Sequence, residues 1–253
     1  AAAAVEERLA PDFIDINCGC PADKVTDQHA GSSLLREPTR LAAIVSAVRD
    51  AMRHTPLTVK IRIGWDEASI NALEVGRLVE GAGAEALAIH GRTKVQGYRG
   101  DADWAVIVAV AEALTIPVIG NGNLTTAERA RWAIEDTPVA GLMIWRGALG
   151  YPWLFRELKH ALATGEPLAP PPLTERWETL FRYCELLAHF RPDKPADGNL
   201  GWMRAKLKAL TNGMPGVKRL RPAMDRMTTL DDLRAIAHEH QAFWATRSSP
   251  AAV

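Results

Sequence analysis

The sequence predicts an α/β fold of the (β/α)8 TIM-type barrel class, present as about its last five strands and followed by a small all-helical domain. Three observations predict it. Short apolar runs alternate with amphipathic helical patterns over residues 1–166. Nearly every apolar run ends on a polar or glycine-bearing cluster. Beyond the proline-rich stretch PLAPPPL the apolar runs stop, and only helical periodicity remains.

The strand candidates, in order, are FIDIN (Phe13 to Asn17), LTVKIR (Leu57 to Arg62), ALAIH (Ala86 to His90), PVIGNG (Pro117 to Gly122) and GLMIW (Gly141 to Trp145). Between them, Pro38 to Met52, Ile70 to Gly81, Trp104 to Leu114 and Thr126 to Glu135 carry the spacing of crossover helices. Strand, helix, strand at this distance implies parallel strands. The clusters NCGCP, KIRIGW, IHGRT, GNGN and WRGALG would all lie at carboxyl ends of strands, where parallel α/β folds place their chemistry. A closed barrel needs about eight strands. The first three strand–helix units are therefore expected to be absent from this chain, which opens in a helical pattern, AAAAVEERLA. Residues 167–173 form a stiff connector, and 174–247 a helical domain with helices at Thr174 to His189, Leu200 to Asn212 and Thr229 to Trp244.

At 253 residues and 47% hydrophobic composition, the chain is long enough for one large core and an appendage. Its 30 basic and 30 acidic residues give no global field toward nucleic acid or membrane. No apolar run is long enough to span a bilayer, and the N-terminal stretch lacks a signal peptide's basic region. Three cysteines, Cys18, Cys20 and Cys184, cannot form a disulfide framework and fit a reducing cytoplasm.

The dipeptide-spaced thiols of CGCP have no second Cys or His pair at ligand spacing, so no metal site is expected. Gly19 and Pro21 force a tight turn at a strand end, where a thiol can serve as nucleophile or proton donor; strand geometry would aim Cys18 and Cys20 the same way unless the turn breaks it. Lys60 sits inside an apolar strand, where an ammonium needs an anionic partner. His90 and Arg92 end the next strand. Asn121, Gly122 and Asn123, with WRGALG after the last strand, stand where barrels often bind a phosphate.

Together, INCGCP followed by HAGSSLL, then TVKIRIGW, IHGRT, PVIGNGN and GLMIWRGALGYPWLF, resemble the tRNA-dihydrouridine synthases over residues 1–155, and more loosely to Trp244. The resemblance implies an enzyme that binds flavin mononucleotide (FMN), uses NADPH as electron donor and reduces a uridine of tRNA to 5,6-dihydrouridine. In that family hydride goes to C6 of the uracil and a cysteine protonates C5. The family's catalytic cysteine precedes proline, which is Cys20 here. Lys60 and His90 match flavin contacts, Asn17 and Arg62 match residues that hold the uracil, and Asn121, Gly122, Asn123, Trp145 and Arg146 match the phosphate cradle. The chain departs from the pattern at Trp145, where glycine is usual, and at Asn123, where aspartate is usual. A bulky indole there either occupies the phosphate volume or turns outward.

Residues 203–226 hold seven cations against the single acid Asp225. Arg204 and Lys208 are four apart on one helical face, and with Lys206, Lys218, Arg219 and Arg221 they form the expected RNA surface. The expected partner is tRNA, bound by a monomer without membrane association. Two other readings are a degenerate relative that binds RNA without catalysis and a flavin barrel acting on a free pyrimidine; the basic helical region argues against the latter.

Overall fold

The structure, a computed structural model, describes residues 1–190 and 200–248. Residues 191–199 of the expected helical domain lie outside the described residues. Two compact units divide the chain, residues 1–145 and 146–253.

The first unit holds a sheet of five parallel strands in sequential order: β1 (Ile14–Cys18), β2 (Leu57–Arg62), β3 (Ala86–His90), β4 (Val118–Asn121) and β5 (Gly141–Met143). Its helices are α1 (Ala2–Leu9), the short α2 (Asp23–Thr26), α3 (Pro38–Ala51), α4 (Ala72–Gly81), α5 (Trp104–Ala113) and α6 (Ala127–Glu135), with a 3-10 turn over Gly31–Arg36. Strands β2 and β3 have the bounds the sequence predicts, and the others differ by one to two residues at their ends. Helix starts follow local chemistry. Pro38 opens α3 with its φ already helical, while Asp103 and Thr126 accept hydrogen bonds from Val106 N and Arg129 N at the starts of α5 and α6.

In-register neighbours of a parallel sheet point the same way, so the register sorts side chains into two faces. One face carries Cys18, Leu57, Val59, Ile61, Leu87, Ile89 and Val118, all buried. Onto it pack Leu41 and Val45 of α3, Val75 and Val79 of α4, and Ile107 and Val110 of α5, forming the core. Each fully buried valine or isoleucine there contributes about 1.5–3 kcal/mol. A charge at Val75, which is 0% exposed, would break the contact between α4 and the sheet. The other face carries Asp15, Asn17, Thr58, Lys60, Arg62, His90 and Asn121 around Ala86 and Ala88.

Glu6 and Glu80 stitch the end opposite the polar clusters. The Glu6 carboxylate accepts from Arg53 N, His54 N and Thr55 N, and Glu80 accepts from Thr115 N, Thr115 Oγ1 and Ile116 N. These hydrogen bonds hold the Glu6 carboxyl at about 2 and hold Glu80 below the usual carboxylate range.

The second unit contains helices and no strand among its described residues: α7 (Arg146–Gly150), α8 (Leu154–Thr164), α9 (Leu173–Phe190), α10 (Leu200–Leu210), α11 (Val217–Arg226) and α12 (Leu230–Ser248). Trp177, Leu180, Leu207, Met214, Leu220, Met224 and Leu233 form its core. Trp177 is fully buried and donates its indole N–H to His240 Nδ1 at 3.2 Å, while His240 Nε2 meets Pro215 O at 2.7 Å. The sequence reading misses α11, whose pattern is broken by Pro222 inside it. It also puts the domain boundary at the connector 167–173, whereas α7 and α8 group with the second unit. Trp153, just before α8, donates to Glu175 of α9, and the Arg176 guanidinium lies over the rings of Tyr151 and Trp153.

Candidate active site

The polar face of the sheet is ordered in rows. Asn17, Lys60, Ala88, Ile119 and Gly141 are register partners in one row, and Arg62, His90, Asn121 and Met143 in the next row toward the carboxyl ends. Five of the sequence-predicted site residues thus share one surface, although they are spread over more than 100 positions of chain. Ala86 and Ala88 place small side chains among the polar residues of that surface.

Lys60 is half-buried. Its ammonium is held below the ordinary lysine range, first by burial and then by the neighbouring Arg62 guanidinium, with Asp15 pulling the other way. Asp15 in turn accepts from Thr58 Oγ1 at 2.7 Å. A lysine in this state gains from any anion brought to the face.

Arg62 is only 2% exposed. Its Nε donates to Gly19 O at 3.0 Å, and its Nη1 to Thr93 O at 2.8 Å and Gly97 O at 2.9 Å. It therefore ties two strand-end loops together at the place where the resemblance has it holding a uracil. Tyr98 lies over it, with its ring centroid 5.7 Å from the guanidinium carbon and 6.1 Å from the His90 ring.

The two thiols of CGCP part company. Cys18 ends β1 on the apolar face, fully buried, and burial chiefly, with Asp15 second, pushes its thiol up to about 12. Strand β1 ends at Cys18, and past Gly19 the Cys20 side chain is only partly buried. Asn17 makes the turn, its Oδ1 accepting from Gly19 N at 3.0 Å.

At the end of β4 the glycines serve packing. A Cβ on Gly120 would stand 2.6 Å from the Trp104 ring, and one on Gly122, at φ +129°, would stand 2.5 Å from the Ala102 Cβ. Trp104 also donates its indole N–H to Gly122 O at 2.9 Å. Asn123 follows in the left-handed region at φ +54°, which asparagine tolerates, and its side chain bridges Arg92 Nη2 and Asp101. Asn121 donates to Met143 O of β5 at 2.5 Å. Trp145 is 67% exposed, and Arg146 begins α7 in the second unit.

Two residues without an assigned role prove central. Arg92, buried, meets His90 Nε2 at 3.3 Å, the Arg99 and Gly100 carbonyls, and Asn123. A guanidinium only donates, so His90 Nε2 accepts and its proton sits on Nδ1. The signal was present in the HxR spacing of IHGRT. Ser32, within HAGSSLL, is fully buried against Cys20.

In the second unit, the four-residue spacing does put Arg204 and Lys208 on one face, but that face is turned to the end of α11. Arg204 donates to Met227 O at 2.7 Å, and Lys208 pairs with Asp225 at 2.5 Å. Lys206 is half-buried, Arg219 lies over the Phe243 ring at 4.3 Å, and Lys218, Arg219 and Arg221 are exposed on α11. Among the described residues no group of three or more His, Cys, Asp or Glu is placed to hold a metal ion, and no helix is long and apolar enough to cross a membrane.

The chain is 41% identical over 251 residues to tRNA-dihydrouridine synthase B of Pseudomonas putida, covering 98% of this chain and 71% of the relative. It is 41% identical to the protein of that name from Pseudomonas aeruginosa, covering 88% and 66%. It is 38% identical to the probable tRNA-dihydrouridine synthase 1 of Synechocystis sp., covering 87% and 60%. The chain thus spans roughly two thirds of these relatives' lengths. The family model described as dihydrouridine synthase (Dus) matches residues 1–245, and on that match the chain belongs to the dihydrouridine synthase family.

Proposed function

We propose that this protein reduces a uridine of tRNA to 5,6-dihydrouridine, with FMN as cofactor, NADPH as electron donor and Cys20 as proton donor. The observation that carries the reading is the register that gathers Asn17, Lys60, Arg62, His90 and Asn121 on one sheet face, at whose carboxyl end Cys20 emerges partly exposed.

The donor set fits FMN. Lys60 is a half-buried cation, and His90 and Asn121 stand one row on. When bound, FMN supplies hydride to C6 of the uracil. Lys60 stabilises negative charge that builds up on the face, with His90 beside it. Asn121 to Asn123 would hold the phosphate at the end of β4.

The protein's own chemical step is a proton transfer. As the C5–C6 double bond is reduced, Cys20 Sγ–H gives its proton to C5 and leaves a thiolate, which regains a proton from solvent. Asn17, whose Oδ1 is occupied by Gly19 N, keeps its carboxamide N–H groups for the uracil carbonyls. Arg62 approaches the same place while bracing the loops. The exposed cations of α11 supply phosphate contacts to tRNA.

The test is Cys20→Ala in the FMN-loaded protein. Dihydrouridine in tRNA, measured by mass spectrometry, should be lost while the rate of flavin reduction by NADPH stays near that of the unaltered protein. Undiminished product would overturn the role of Cys20, and failure to bind FMN by the unaltered protein would overturn the whole reading.

A further inference from the structure

The direction of a Cα–Cβ bond is fixed once the peptide planes on both sides of the Cα are fixed, because these planes set φ and ψ. Both planes flanking Cys20 are held from outside the loop. The preceding plane contains Gly19 O, which accepts from the Arg62 Nε at 3.0 Å. The following plane contains Cys20 O, which accepts twice from one residue: Ser32 N at 3.0 Å and Ser32 Oγ at 2.8 Å. Both lone pairs of the Cys20 carbonyl are thereby used. Pro21 follows, its ring fixing the next φ and offering no N–H to compete.

The clamp is tightly built. Ser32 is 0% exposed and Arg62 2%, so neither exchanges its bonds readily with water. Gly31 precedes Ser32 at φ +60°, and a Cβ there would stand 2.8 Å from Cys20 O and 3.1 Å from Cys20 Cβ. Glycine is what permits Ser32 to come close enough to donate from both its groups. Gly19 also runs near β2, where an added Cβ would stand 3.3 Å from the Ile61 carbonyl carbon. With φ and ψ held, Cys20 keeps only its χ1 to place the sulfur.

We propose that Ser32 and Arg62 are positioning residues that clamp Cys20, and that the buried Ser32 hydroxyl sets where the thiol stands when it gives up its proton. The proposal rests on the reading of Cys20 as proton donor. A proton donor must come within about 2.6–3.2 Å of its acceptor, and a misplacement of about 1 Å can cost about 100-fold in rate. Removal of one oxygen at Ser32 takes away one of the two hydrogen bonds that hold the plane beyond Cys20, without touching any group that meets substrate or cofactor.

The experiment compares Ser32→Ala with the unaltered protein and with Ser32→Thr, which returns the hydroxyl. Two quantities are read. One is the rate at which iodoacetamide alkylates Cys20 in the folded protein without cofactor or tRNA, mapped by peptide mass spectrometry. The other is single-turnover dihydrouridine formation with FMN and saturating tRNA. Ser32→Ala should raise Cys20 alkylation several-fold, as the loop opens, and slow product formation by about 10- to 100-fold. Flavin reduction by NADPH and the KM for tRNA should not change, and Ser32→Thr should recover most of the loss. Should Ser32→Thr not fold, judged by circular dichroism, Gly31→Ala, which presses on the same carbonyl, takes its place and should mimic Ser32→Ala. Either readout unchanged in folded Ser32→Ala overturns the proposal. Cys20→Ala is run alongside. If it still makes product, the proton-donor reading fails on its own account, whereas a dead Cys20→Ala beside a fully active Ser32→Ala defeats the clamp alone.

Discussion

Cys18 and Cys20 are separated by one glycine and lie in opposite environments: Cys18 is sealed in the core beneath the sheet, and Cys20 stands partly exposed at its carboxyl end. Burial pushes the Cys18 thiol up to about 12 and that of Cys184, in the helical core, to about 11. At neutral pH neither supplies thiolate. Brief treatment with an alkylating reagent should therefore add one label, at Cys20, with the other two cysteines labelled only in denaturant. Intact-mass measurement before and after unfolding checks this, and early labelling of Cys18 would reverse the assignment.

Asn123 joins Arg92 and Asp101 through opposite ends of its carboxamide, accepting from the first and donating to the second. Aspartate at this position would keep the Arg92 contact but set two carboxylates against each other. Asn123→Asp should destabilise the fold by about 0.5–3 kcal/mol at neutral pH. Adding Asp101→Asn should restore neutral-pH stability. A chemical-denaturation cycle of the four proteins that shows simple additivity would defeat the idea.

Glu6 caps three backbone amides of the 53–55 turn, and its carboxyl is held at about 2 against an ordinary value of 4.5. A depressed acid contributes stability that is complete above its unfolded pKa and is lost as pH falls through its folded pKa. The melting temperature of the unaltered protein should therefore exceed that of Glu6→Gln at pH 7, and the gap should close between about pH 4.5 and about pH 2. A gap that persisted at the acid end would show that shape, not charge, makes the contact.

On the second unit the cations divide by what they already hold. Lys218 and Arg221 are exposed on α11, whereas Arg204 and Lys208 are engaged with Met227 O and Asp225. Replacing Lys218 and Arg221 with alanine should weaken tRNA binding and flatten its salt dependence by about 0.7 to 0.9 for each phosphate that is no longer neutralised, with little change in stability. Arg204→Ala should instead cost about 1.5–3 kcal/mol of stability, the value of a hydrogen bond from a charged group. Salt titrations of tRNA affinity beside thermal melts separate the two. An unchanged slope in the Lys218/Arg221 variant would make α11 a plain solvated face.

Much of this protein is legible in its sequence. The alternation of β-branched runs with amphipathic segments fixes five parallel strands, because a strand buried on one face and joined by a crossover helix has little other option. Residues on those strands are legible too: Lys60 inside an apolar run, and His90 and Asn121 at strand ends, fall on the polar face as strand alternation requires. Helix α11 is not legible, because Pro222 argues locally against the helix that packing of Leu220 and Met224 maintains. The unit boundary at Trp145 is not legible either, because proline content reports stiffness of the connector and says nothing of which core α7 and α8 join.

Strand and helix order, the polar ends of the strands and the family can all be read from the residues alone. Each follows from local periodicity or from residue types at fixed spacing. Folding into three dimensions settles which thiol of CGCP is buried, that Arg62 and Ser32 grip the peptide planes around Cys20, and that Arg92 rather than a glycine organises the end of β4. It also points Arg204 and Lys208 at the end of α11. The Cys20 clamp joins residues 12 and 43 positions apart. Burial and hydrogen-bond satisfaction settle such choices only when the whole unit has closed.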